Sequence, residues 1–333
     1  MGFFAALMYP FEWFVASILA GAETLLTTFG LAPTSGWTWA LSIVCLVVVL
    51  RILLMPLFVR QIRAQRRMQL LQPELMKIQK KYKGKKDEAS RKAMTEESFA
   101  LYKKHGTNPF SSCLPILLQM PFFFALFRIL NNIPGIADGS RTAPGFFTAE
   151  LAQTMQEATL LGANLTSSFL YSDDVSAKVL SLVLIVAMSL TQFITSHQLM
   201  RKNMPAAALD SPMARQQQIL IYVLPVMFAV FGVNFPLGVL IYWTTTNLWT
   251  MGQQFYVIRA MPAPGSLAEK ALEERRLAKG KPLKKFQLSD TVEVEDAPEE
   301  ETPGRTSGQR AQPQGKARAK KKKKKNNNRP KGR

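Results

Sequence analysis

The sequence predicts an all-α, polytopic membrane protein, and three observations carry that expectation. Apolar residues make up 47% of the 333 residues and charged residues only 20%, against about 25% charge in ordinary soluble domains. The apolar residues are gathered into long runs, and a helix needs about 20 of them to cross a ~30 Å hydrocarbon core. The charge is segregated, since residues 1–50 hold no Lys or Arg while residues 305–333 hold 13 and no acid. Apolar content this high and this clustered also argues against a disordered chain. With only Cys45, Cys113 and two histidines, no disulfide framework, no metal site and no cofactor are expected.

The first element is residues 1–36. Its apolar stretch Trp13–Ala22 is ten residues long and bounded by Glu12 and Glu23, too short to span. It lacks the positive n-region of a secretory signal and the arginines of a transit peptide. An amphipathic helix lying in the outer interface is expected, with a sixth span as the alternative.

Residues 37–260 form the core, with five spans at 37–59, 114–133, 179–200, 219–235 and 239–258. Between the first two, residues 61–105 predict a cytosolic helical hairpin. Leu71, Leu75, Ile78 and Tyr82 share one helical face, Lys83-Gly84-Lys85-Lys86 breaks the pattern, and Pro73 marks a kink or restart. The outer loop 134–177 predicts a short helix, Thr148–Leu161. Residues 261–333 are rich in Pro, Gly, Lys and Glu and predict a disordered basic cytosolic tail, with an acidic block at Asp290–Glu301.

Alternate loops set the direction. Loop 61–105 holds 13 Lys/Arg, loop 201–218 holds Arg201, Lys202 and Arg215, and the tail 259–333 holds 21. Loop 134–177 holds only Arg141, against five acids. By the positive-inside rule the N-terminus faces out and the C-terminus the cytosol.

Arg51 is the residue with the most to say. It lies nine residues before Arg60, roughly 13 Å deeper at 1.5 Å per residue. A charge at that depth costs at least about 2.5 kcal/mol unless paired or wetted. None of the five spans contains an acid, so a water-filled cavity open to the cytosol is favoured over snorkelling. Arg128 lies six residues before Pro134, nearer the outer end of its helix, where snorkelling suffices. Gln119, Gln192 and the run Thr244–Asn247 beside Tyr242 and Trp243 are the other polar groups that could line the cavity; for the threonines, interhelical hydrogen bonds are preferred. Pro109, Pro115 and Pro121 should loosen the second span. His105 lies near Ser111 and Ser112 but without an orienting acid or a nucleophile turn, so no enzyme is expected.

Three blocks then resemble the YidC/Oxa/Alb family of membrane protein insertases, over about 37–260. The first runs from Leu50-Arg51-Ile52-Leu53-Leu54-Met55-Pro56-Leu57 to Met68–Glu74. The second joins Ala100–Lys103, Asn108-Pro109 and Cys113–Pro121. The third runs from Tyr222–Phe228 through Asn234–Trp243 to Asn247-Leu248 and Gln253-Gln254. The resemblance implies five transmembrane helices around a hydrophilic groove open to the cytosol and closed to the outside. It puts the groove arginine on Arg51, the groove aromatic on Trp243 with Tyr242 beside it, and the groove glutamine on Gln192, with Gln198 as rival. Val47 stands where some relatives carry Thr.

The implied function is a membrane protein insertase and chaperone of the bacterial plasma membrane, with a small-solute transporter or channel as the alternative. Paired ionisable groups near the midplane, which a transporter would use, are missing from the spans. The implied clients are nascent membrane proteins, inserted alone or beside the Sec translocon. In the tail, Lys320, Lys321, Lys322, Lys323, Lys324, Lys325 and Arg329 suit phosphate, either ribosomal RNA or anionic phospholipids.

Overall fold

The computed structural model describes residues 3–85, 87–108, 114–204 and 212–282. The tail from 283 onward, including the acidic block, Lys320–Lys325 and Arg329, lies outside the described residues, as do Pro109, Ser111, Ser112 and Cys113.

The chain begins with helix α1, Phe3–Thr28, longer than its ten-residue apolar stretch predicts. Its inner face explains the extension: Met8, Val15, Ala16, Leu19 and Ala20 recur at helical spacing and are buried against α2, Gly36–Leu53, and α6, Leu114–Ala137. Ser35 caps α2 by accepting the Trp37 N–H. Trp39 is fully buried, donates its indole N–H to Pro33 O at 3.0 Å and meets Phe147 at 5.8 Å.

α1 also overturns the reading of Arg128. Arg128 Nε lies 2.5 Å from Glu12 Oε1, so it pairs with α1 instead of reaching toward the headgroups. The two side chains are 32% and 13% exposed, so losing either strands a charge that water reaches poorly. Glu12→Gln and Arg128→Gln should each cost about 1–3 kcal/mol, and the double variant should cost less than the sum. A double-mutant cycle on thermal unfolding in detergent measures that coupling; strict additivity would remove the pair as an anchor.

The first span region breaks earlier than expected, with α2 ending at Leu53 and α3 running Met55–Leu70. The backbone bonds Leu54 N→Leu50 O and Phe58 N→Leu54 O carry the helical ladder across the break. Pro73, in the first turn of α4, Gln72–Lys81, marks the restart. α5, Glu88–Lys104, returns antiparallel to α4: Lys81 meets Glu97 at 2.9 Å at one end and Glu74 meets His105 at 3.7 Å at the other. Asp87 caps α5, and its hydrogen bond from Ser90 holds the carboxyl below its ordinary range. The cap therefore contributes fully above that range and is lost as pH falls below it, through the lowered folded-state value.

In the loop after α6, helix α7, Ala149–Glu157, stops short of Leu161. Leu161 at φ 51° and Gly162 at φ 83° instead make a two-residue hairpin turn. It joins β1, Thr159–Leu160, to β2, Ala163–Asn164, antiparallel. The hairpin buries Ala158, Leu160, Ala163 and Leu165 together, which a continued helix could not do.

α8, Val175–Asn203, packs against both α9, Pro212–Gly232, and α10, Leu237–Ala260. Gly36–Leu53, Leu117–Ala137 and Val175–Asn203 are long and apolar enough to cross a membrane, and the apolar part of α9, Gln218–Gly232, is shorter. The start of the expected disordered tail is ordered: α11, Leu267–Leu277, packs on α8 and α10. Its start is a capping box, with Ser266 Oγ accepting from Glu269 N and Glu269 Oε2 accepting from Gly265 N. Buried Asn203 accepts the Ala263 N–H at 2.7 Å and ties the connection to the end of α8.

Candidate functional site

The site is built on one face of α10. Tyr242, Thr246 and Thr250 follow at four-residue spacing and form a stripe along that helix. Two neighbouring helices bring polar groups to it.

From α2 comes Arg51, two residues before the helix end and only 7% exposed. Its Nη2 donates to Thr250 Oγ1 at 2.9 Å and to Thr246 O at 3.3 Å. The guanidinium carbon also lies 5.2 Å from the centre of the Phe58 ring. Arg51 makes no ion pair among the described residues. Its charge is answered by a carbonyl, a hydroxyl and a ring face, each weaker than a carboxylate. The hydroxyl of Thr246 and Oε1 of Gln253, farther along α10, are buried without a hydrogen-bond partner among the described residues.

From α6 comes Gln119, whose side-chain N–H donates to the Tyr242 hydroxyl. Tyr242 is 2% exposed, so this contact satisfies a phenol that would otherwise be orphaned. Trp243, one residue on, turns to the other side. It packs against Phe228 at 4.6 Å, Phe123 at 5.0 Å and Phe235 at 5.9 Å.

The structure thus gathers Arg51, Gln119 and Tyr242 around the α10 stripe and puts Trp243 in an aromatic cluster between α6, α9 and α10. Gln192 is half-buried on α8 and takes no part in the hydrogen bonds that hold Arg51 or Gln119. Thr244 and Asn247 face α8, donating to Leu184 O at 3.5 Å and Met188 O at 3.1 Å. Thr250 escapes the sequence reading because it lies beyond the conspicuous Thr244–Asn247 run. The signal available was its four-residue spacing from Thr246 and Tyr242. Among the described residues no group of three or more His, Cys, Asp or Glu could hold a metal ion.

The family model described as 60Kd inner membrane protein matches residues 30–264, which contain every element of this site. The membrane protein insertase YidC of Tropheryma whipplei strain Twist is 37% identical over 328 residues, covering 96% of this chain and 97% of that protein. The chain belongs to the YidC family. The YidC of Streptomyces avermitilis is 50% identical over 250 residues, covering 72% of this chain and 56% of that longer relative. The YidC of Bifidobacterium longum is 34% identical over 274 residues, covering 82% of each. A solved structure of an active YidC insertase with its first transmembrane domain resolved matches at TM-score 0.44 and 22% identity, over 77% of this chain and 47% of that one. Family membership and the three apolar helices make this a multi-pass membrane protein.

Proposed function

We propose that this chain is a membrane protein insertase of the plasma membrane that acts by solvation and charge, with no covalent step. In this reading α2, α6, α8, α9 and α10 are the five spans, the N-terminus lies outside, α1 lies along the outer interface, and the hairpin α4–α5 and the tail lie in the cytosol. A hydrophilic groove opens from the cytosol toward Arg51. The carrying observation is Arg51 itself: a cation buried at 7% exposure, without an ion pair among the described residues, ringed by uncharged acceptors. Buried polar atoms are normally satisfied, so the unpartnered Thr246 hydroxyl beside it supports a wetted site.

Such a groove lowers the cost of drawing a client's polar segment partway into the bilayer. Arg51 attracts acidic residues of that segment. The client's apolar segment then partitions into lipid, which drives the step. The short apolar part of α9 favours a locally thinner bilayer. Gln119, Tyr242, Trp243 and Gln192 are the other residues assigned to the groove.

The test is reconstitution of the full chain in liposomes with a small single-span client. Protease protection of the client's outer segment, with no passage of small solutes, is the expected result. Solute flux without client insertion would support a transporter or channel and end this reading. Crosslinking from positions 51 and 243 to the inserting client should report contact at both.

The tail is assigned to ribosomal RNA, with anionic lipid as its other partner, since 13 basic residues without an acid bind phosphate through counterion release. In neutral-lipid nanodiscs, a chain ending at Gly304 should recover several-fold fewer ribosomes than the full chain at low salt. The difference should shrink as salt rises. Equal recovery at low salt would leave lipid as the tail's partner.

A further inference from the structure

We propose that the cavity between the end of α10 and α11 binds the headgroup of an anionic phospholipid taken from the cytosolic leaflet. The cavity measures about 420 Å³, and its wall carries Arg259, Arg275, Arg276, Lys279 and Lys281, with no acid. None of the five makes an ion pair among the described residues. The cavity surface itself is mostly apolar, so these five residues line it mainly with their hydrocarbon stems, and five cations grouped around one small space repel one another until an anion joins them.

The cationic wall is held in place. Arg275 donates from Nε to Ala271 O at 2.9 Å and from Nη2 to Arg259 O at 3.1 Å, which clamps α11 onto the last turn of α10. Arg276 donates from Nη1 to Pro282 O at 3.4 Å. Neither arginine spends all five of its N–H groups on these contacts.

A lipid fits better than RNA because of what lies next door. A second cavity of about 270 Å³ shares Arg259 and Arg275 with the first, and its wall, also mainly apolar, adds Phe255, Ile258, Ala268 and Ala271. Lys202 and Gln198 close it from α8. Tyr256, which lines the charged cavity, and its neighbour Phe255 are 68% and 57% exposed. A phosphodiester in the first cavity would thus have a surface for its acyl chains beside it, a feature nucleic acid does not use. The inference rests on α10 being a span whose Arg259 end meets the cytosolic leaflet.

The experiment is native mass spectrometry of the full chain released from nanodiscs containing phosphatidylglycerol and phosphatidylcholine in equal amounts. Three forms are compared: the natural chain, the triple variant Arg276→Gln, Lys279→Gln, Lys281→Gln, and a tail variant of equal charge loss, Lys320→Gln, Lys321→Gln, Lys322→Gln. Arg275 is kept because it clamps α11. Detergent washing strips lipid held only by the tail's surface charge, so the natural chain and the tail variant should both retain one phosphatidylglycerol and no phosphatidylcholine, and the cavity variant should retain at least fivefold less. The charge-keeping variant Arg276→Lys, Lys279→Arg, Lys281→Arg should restore retention, which separates lost binding from lost folding. Undiminished retention by the cavity variant, or equal losses in cavity and tail variants, would overturn the proposal. So would displacement of the lipid by millimolar inorganic phosphate. A cavity variant that keeps its lipid but no longer sediments with ribosomes would reassign the wall to RNA. Retention is read without any client, so its outcome is independent of the insertion assay.

Discussion

Replacing Arg51 by Ala is expected to lower insertion of clients with acidic outer segments by roughly tenfold and to leave clients with neutral segments much less affected. Two opposite charges about 4 Å apart attract by about 1 kcal/mol in water and about 4 kcal/mol at an effective dielectric near 20. A tenfold effect, about 1.4 kcal/mol, falls inside that interval. The bundle should survive the change. Thr250 Oγ1 already donates to Thr246 O at 2.8 Å, so neither α10 group is orphaned when the guanidinium goes. Arg51→Lys should keep most of the activity and Arg51→Gln should resemble Ala, as the proposed attraction of the client by charge requires. The check is initial insertion rate for a client series graded in outer-segment acidity. A rate that ignores client acidity in every variant would remove charge from the mechanism. A Lys variant as poor as Ala would transfer the role to the two hydrogen bonds and the Phe58 contact.

The largest stability effect is expected at Gly36. A Cβ there would collide with Leu160 N, Thr159 C and Thr159 O, all backbone atoms of the β1–β2 hairpin. Backbone held in a ribbon cannot swing aside as a side chain can, so the start of α2 or the hairpin must move. Gly36→Ala should cost at least about 1–3 kcal/mol, the range for forced overpacking, and Gly36→Val more. Gly21 is the internal control, since a Cβ there meets nothing within 4 Å. Gly21→Ala, inside α1, should be neutral or should stabilise by about 0.5–1 kcal/mol. Thermal unfolding of the two variants in detergent should therefore move in opposite directions. Similar melting temperatures would mean that the hairpin does not press on α2.

Much of this architecture is legible in the sequence because a bilayer imposes long apolar runs that survive any reading of local propensity. The helices appear where those runs lie, and a turn at Tyr82–Gly84 follows α4 as the composition of that stretch suggests. What stayed hidden depends on contacts between distant segments. Glu12 looks like the boundary of a short interfacial helix until α1 is seen to carry it to Arg128. Thr250 looks unremarkable until α2 delivers Arg51 to it across 199 residues. The end of α7 was set by burial of Leu160 and Ala163, which propensity along the chain does not encode. The α11 helix was a different failure: the composition of the long tail masked a local capping signal, Ser266 with Glu269, that was there to be read.

The join at Leu54 links two parts of the chain. Leu54 keeps right-handed helical angles, φ −86° and ψ −2°, and backbone bonds bridge it on both sides. The hydrogen-bonded ladder therefore passes from α2 into α3 with no loop between them. Arg51 lies three residues on one side of it, and α3 leads from the other side to the hairpin. Arg51 therefore sits within about one helical turn of the point where α3 departs toward the hairpin. Arg51 and the hairpin are thus joined by one short stretch of hydrogen-bonded backbone, a path between them that bypasses the rest of the bundle.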